Sequence, residues 1–387
     1  MGTHHHRGPA RTGSRLHRTA ALAVVAPLAL LTVVALVWLW PSPGAIGDGA
    51  DAAPEIPGRV VAVEEETCPE GTPADVERCG SVRVSVGTED PVEVTAPLPG
   101  GLGAPEVELD DDVVLIRNET PDGVAYAVVD HQRGTGLWFV GLAFVLALVA
   151  FGRWRGVASL AGLAATFAIL ASFVIPAILD GSPPLLVAVV GSAAVVLVVL
   201  YLTHGFGITT TTAVLGTLAS LALTGALAWL SVAALHLTGV TDDLSASVGG
   251  TQGVDMRGLL LAGIVIGSLG VLDDVTVTQA ATVAEIAHAD PAAGFGRLFR
   301  AGSRVGRAHV ASVVNTIVLA YAGSSLPLLV LLVADNGSLT AVVPSQVVAQ
   351  EIVRSSVATI GLIAAVPLTT ALAAWAHRNR QAGGMAG

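Results

Sequence analysis

Hydrophobic positions along the chain fall into long runs broken by short polar stretches: 19–40, 137–152, 157–179, 184–202, 211–237, 258–284, 309–333 and 352–376. A helix of about 20 apolar residues crosses the roughly 30 Å hydrocarbon core of a bilayer. A helix also satisfies its own backbone polar groups in lipid. The pattern predicts a polytopic α-helical membrane protein with about eight transmembrane helices. Between the first and second runs the period changes. Residues 58–64, 81–86, 91–95, 112–117 and 124–129 are short, alternating and Val-rich, with turn residues at Pro99-Gly100-Gly101, Asn118 and Pro121-Asp122-Gly123. Five such strands after the first helix predict a small all-β domain, barrel-like and of OB-like size.

The partition that follows is a disordered basic tail (1–18), a signal-anchor helix (19–40), an acidic β domain (41–134), a seven-helix bundle (135–377) and a second tail (378–387). Ala50-Asp51-Ala52 has a faint cleavage-site look. Even so, run 19–40 is longer than a signal peptide's apolar region, which favours an uncleaved anchor. Arginines orient the spans. Arg7, Arg11, Arg15, Arg18, Arg153, Arg155, Arg297, Arg300, Arg304, Arg307, Arg378 and Arg380 fall on one side, against Arg257 and Arg354 on the other. The positive-inside rule then puts both termini in the cytoplasm and 41–134 outside it.

Composition agrees with the pattern. Hydrophobic residues make up 53% of the 387 and charged ones 13%, where soluble domains carry about 25% charged residues. Every basic residue is Arg, and Ala, Gly and Val are abundant, which suggests a GC-rich bacterial genome and so a plasma-membrane location. The net charge of −11 is concentrated in 41–134, with its Glu64-Glu65-Glu66 and Asp110-Asp111-Asp112 runs, which read as a solvated face. No basic stripe exists for nucleic acid. Cys68 and Cys79 are the only cysteines. Outside the cytoplasm they are most simply a disulfide. His4-His5-His6 lies in the tail, and no metal or cofactor is expected.

The candidate chemistry is intramembrane. Asp273-Asp274 ends an apolar run that starts near Gly258. An ionised carboxylate at the bilayer centre costs roughly 2.5–3.5 kcal/mol on insertion scales, so such residues usually face a bundle interior, a proton path or a cation. Adjacent helical residues point about 100° apart, so the two carboxylates serve different partners. Helical spacing groups Gly263, Gly267, Gly270, Asp274, Thr278 and Glu285 into one stripe, and its small residues would let a neighbouring helix approach closely. Asp273 points elsewhere, nearer Thr276. Asn315 on the next span is placed to hydrogen-bond an acid, and His309, Ser312 and Thr316 share a face with each other. Arg354 breaks the charge rule. It is either a counter-ion for the acidic pair or the i, i+3 partner of Glu351.

Several blocks are similar to the YibE/F family of bacterial multi-pass membrane proteins: Gly258-Leu-Leu-Leu-Ala-Gly263, Gly270-Val-Leu-Asp-Asp-Val-Thr-Val-Thr-Gln-Ala-Ala-Thr-Val-Ala-Glu285, His309 to Pro327 with its Asn315-Thr316 and Ala320-Tyr-Ala-Gly323, Gln350-Glu-Ile-Val-Arg354, and Pro367-Leu-Thr-Thr-Ala371. The resemblance covers about 135–376 and implies an integral membrane protein, with no reaction attached. Its Gly-x-x-Asp-Asp block also resembles the proton-relay helix of resistance-nodulation-division exporters, a likeness of few residues.

Two functions are expected from this. One is a proton- or cation-coupled transporter or exporter of unidentified substrate, with Asp273, Asp274, Thr278, Glu285, Asn315 and Arg354 as coupling candidates and a homodimer or membrane subunit as partner. The other is a non-transporting scaffold or accessory subunit whose β domain docks a partner. An enzyme is not expected. Aspartyl chemistry needs two carboxylates face to face, and no Gly-x-Ser-x-Gly, His-Glu-x-x-His or nucleotide-binding loop appears.

Overall fold

The computed structural model describes residues 13–44, 54–69, 71, 76, 78–87, 90–101, 103–121, 123–240, 243–336 and 342–382. The His4–His6 run, the Asp51-Ala52 segment and the last five residues of the chain lie outside these. The chain divides into two units, 47–153 and the remainder.

In the first unit five antiparallel strands form one sheet: β1 (Glu55–Glu66), β2 (Cys79–Val86), β3 (Val92–Pro97), β4 (Asp112–Thr120) and β5 (Gly123–His131), in the order β3-β2-β1-β4-β5. All five expected strands are present; four contain their alternating run and reach a little further, and β3 is shifted from 91–95 to 92–97. β1 is long because it serves two neighbours in turn: 55–59 pair with β4 and 58–66 with β2. Pro57, just ahead of the expected first strand, is therefore inside it. It stands where β1 pairs only with β4, so its missing N–H leaves no ladder bond unmade. Edge strands β3 and β5 approach each other without sharing a ladder. One face packs Val60, Val82, Val84, Val113 and Leu115, all fully buried, with Val107 and Leu98. Gly80 has φ +136°, and a Cβ there would run into the Glu64 carbonyl, so β1 and β2 close only over glycine.

Cys68 and Cys79 are joined as a disulfide that closes the β1–β2 connection. Replacing both with Ser should destabilise this unit by about 2–3 kcal/mol, the chain-entropy cost of so short a loop. Comparing the protease resistance of 47–153 in the intact double variant with wild type measures it. At the far end of the sheet, Arg133 Nη1 donates to Asp130 Oδ2 at 2.6 Å. That hydrogen bond, with the His131 N–H, holds the Asp130 carboxyl below its ordinary range. The tie therefore contributes above the unfolded carboxyl pKa and is lost as pH falls through the depressed one. The unit ends in helix α2 (Gly134–Gly152), none of whose residues is buried.

The second unit is all helix: α1 (Gly13–Trp38), α3 (Trp154–Leu179), α4 (Pro184–His204), α5 (Ile208–Ala234), the short α6 (Asp243–Gln252), α7 (Met256–Ala289), α8 (Phe295–Ser324), α9 (Leu326–Asn336) and α10 (Gln346–Ala382). Among the described residues, seven helices are long and apolar enough to cross a membrane: α2, α3, α4, α5, α7, α8 and α10. α1 contributes a shorter apolar stretch, Ala23–Trp38. The run 309–333 proves to be two helices. α8 begins at Phe295, takes in Arg297, Arg300, Arg304 and Arg307, and stops at Ser325, where the chain turns into α9. Hydrophobicity alone missed the first part because α8 is strongly amphipathic there, with Leu298, Gly302 and Gly306 buried between exposed arginines. α7 and α10 likewise extend well past their apolar runs.

α7 is the centre of the bundle and packs on α4, α5, α8 and α10. Its buried face carries Leu260, Ile264, Leu272, Val275, Thr276, Gln279 and Val283. Within α3, residues Leu170–Val174 form a π turn. Pro176 follows and has no N–H to return to the carbonyl four residues back, so the helix widens here. The end of α1 is tied to this unit: Leu39 is buried, Trp40 meets Phe173 at 6.0 Å between ring centroids, and the Ser42 N–H and hydroxyl both donate to Asp180 Oδ2.

Candidate functional site

Asp273 and Asp274 stand at the midpoint of α7, a helix of 34 residues and so about 51 Å long. They look in different directions. Asp274 is exposed, whereas Asp273 is only partly accessible and its Oδ1 is buried with no hydrogen-bond partner among the described residues. The Asp273 side chain reaches a cavity of about 290 Å³ between α3, α4 and α7. The cavity is walled by aliphatic side chains, among them Leu170 and Val174 of the π turn, Val195, Val196 and Val199 of α4, and Leu269 of α7.

Three polar side chains reach it: Thr166, Ser192 and Asp273. The Thr166 hydroxyl donates to the Gly162 carbonyl at 3.0 Å. Ser192 is 2% exposed and its Oγ has no partner among the described residues. No Arg, Lys or His lines the cavity. Gly191 lets α3 come close, because a Cβ there would stand 2.6 Å from Val174 Cγ2. One apolar cavity is thus lined by a carboxylate and by a hydroxyl, and among the described residues the first has no ion-pair partner and the second no hydrogen-bond partner. A carboxyl so placed can be neutral by carrying a proton or charged beside an incoming cation.

The other candidates lie elsewhere. Gly263, Gly267, Gly270, Asp274, Thr278 and Glu285 do share a stripe, but it is exposed in the single chain and, Gly270 at the cavity rim apart, lines no internal space described above. The longer side chains of the opposite face interdigitate with α4, α5 and α10 and take the interior. Of the stripe's glycines only Gly267 has a close neighbour, the Tyr321 hydroxyl of α8. Asn315, His309, Ser312 and Thr316 are exposed on α8, and Asn315 makes no hydrogen bond to either aspartate. Arg354 Nη1 pairs with Glu351 Oε1 at 3.1 Å and with neither aspartate, so of its two possible partners the structure has the local one. Tyr321 is within electrostatic reach of both members of that pair.

Sequence reasoning missed a set of buried polar contacts that follows Asp273 on the buried face of α7. Thr276, fully buried, donates to the Asp273 carbonyl at 3.1 Å and shares a 2.6 Å hydrogen bond with Thr217 of α5. One turn on, Gln279 Nε2 donates to the Gly302 carbonyl of α8 at 2.9 Å and to Thr370 Oγ1 of α10 at 2.7 Å. Gln279 thus joins three helices, α7, α8 and α10. Its spacing from Thr276 and Val283 on one helical face was a usable signal, since a buried polar residue in lipid is rarely idle. Thr276→Val should weaken the bundle by about 1 kcal/mol, in the range of interhelical hydrogen bonds in membranes, read as an earlier unfolding midpoint in mixed detergent.

Residues 140–379 match the family described as YibE/F-like protein. No curated protein and no solved structure matches the chain.

Proposed function

This chain belongs to the YibE/F-like protein family, and from that premise and the Asp273 cavity we propose that it is a proton- or cation-coupled membrane transporter. The single observation that carries the reading is the buried, unpartnered Oδ1 of Asp273, a residue that lines an apolar cavity at the middle of the central helix. A structural acid in this position would be expected to hold a hydrogen bond or an ion pair. Asp273 is the titrating group in this reading, Ser192 assists it, and Gln279 and Thr276 fix the helix behind it. In the same reading α1 is an eighth span and a retained anchor in a bacterial plasma membrane. Both termini are cytoplasmic and the sheet is an extracytoplasmic, OB-like barrel that hands over a ligand or docks a partner. No enzymatic step is assigned.

The exposed stripe on α7 favours a second role beside transport. Asp274, Thr278 and Glu285 facing lipid would be costly, so a second copy or a membrane subunit covers them, as in the scaffold reading. Proton flux into liposomes under an imposed gradient and potential separates the two. Flux that depends on Asp273 supports transport. Equal flux in wild type and in the Asp273→Asn/Asp274→Asn double variant supports the scaffold.

A further inference from the structure

The cavity also points to what it holds, an inference that rests on the transport reading above. We propose that the space between α3, α4 and α7 binds a small lipophilic organic monocation, paired with the Asp273 carboxylate in exchange for a proton.

Size is the first argument. A volume of about 290 Å³ lies at the low end of small-molecule sites, about 300–1,000 Å³, and far exceeds what a bare ion needs. The walls are the second. A hard metal ion asks for about six oxygen ligands. Here one carboxylate and two hydroxyls are offered, and the hydroxyl of Thr166 is already donated to its own helix. The remaining lining is aliphatic or glycine, a surface that suits the body of an organic cation and not a hydration shell.

Charge is the third argument. From α3 and α4 no titratable group faces Asp273, and on α7 its only acidic or basic neighbour is Asp274, exposed on another face. Arg354 is tied to Glu351. The neutralising partner of the Asp273 carboxylate is therefore a proton or the ligand itself. When the cation enters, the proton leaves, and the cavity stays neutral in both states. Asp273 Oδ1 and Ser192 Oγ are the two buried polar atoms there with unused hydrogen-bonding capacity. Access is the fourth argument. Leu163 and Gly270 are exposed at the rim while Ser192 and Val196 are buried within. The mouth thus opens sideways at the depth of the middle of α7, where a lipophilic ligand partitions and a hydrated ion does not.

The test is calorimetric titration of the purified full chain in detergent with benzyltrimethylammonium and with neopentylbenzene, its uncharged isostere. Wild type should bind the cation about tenfold or more tightly than the isostere, with release of a proton. Asp273→Asn should bind the two alike. Equal affinity in wild type, or no binding of either, overturns the assignment, and this comparison needs no variant to fold. The two proposals fail separately. Asp273-dependent proton flux without cation binding removes the cation and keeps transport. Asp273-dependent cation binding in a chain that passes no protons keeps the site and removes transport.

Discussion

Asp273→Asn is expected to cut proton flux by about a hundredfold, the low end of what a positioned proton-transferring side chain contributes. Asp274→Asn should change the flux far less, because Asp274 does not line the cavity. The two residues are neighbours of the same chemical type, so the contrast comes from direction alone. Asp273 reaches an apolar cavity that offers its Oδ1 no protein partner, whereas Asp274 is on the open face of α7. Asparagine keeps the shape and removes the titration, so packing around Leu269 and Val196 should be unchanged. Reconstituted single variants at matched insertion, followed with an internal pH dye, measure the difference. Equal losses in both would mean that the pair acts through its summed charge, and the cavity would lose its special standing.

Gly306→Val is expected to be strongly damaging to the packing of the helical unit. Gly306 of α8 sits where a Cβ would meet Val366 of α10 and would stand 2.7 Å from Gln279 Oε1 of α7. Valine adds two methyl groups beyond that Cβ, so the Val366 and Gln279 side chains would have to move. Overpacking of this kind costs about 1–3 kcal/mol or more. It would also push α8 off the Gln279 hydrogen bonds to Gly302 and Thr370. The expected result is poor recovery of folded protein and a much lower unfolding midpoint in detergent. Gly263→Val is the matched control, since nothing stands within 4 Å of a Cβ there and the single chain should tolerate it. If both glycines tolerate valine, α8 is not packed against α7 and α10 as described.

By itself the sequence determined the class of the protein and the order of its parts. Apolar runs of membrane-spanning length, arginines grouped between them and a period-two segment after the first run are local signals, because lipid and strand pairing act on stretches of chain. The Asp273-Asp274 pair was legible for the same reason: charge within an apolar run is costly wherever the helix turns. What the sequence could not fix was which way each residue faces. The stripe of Gly263, Gly267, Gly270 and Asp274 has the spacing of a packed seam, yet the face opposite it is buried. Lipid and protein interior are both apolar, so hydrophobicity does not tell one side of a membrane helix from the other. The break at Ser325, the Gln279 contacts and the choice of Glu351 as partner of Arg354 likewise depended on which helices came together. Only the tertiary structure brought Ser192, from a run that reads as plain apolar span, to the same cavity as Asp273.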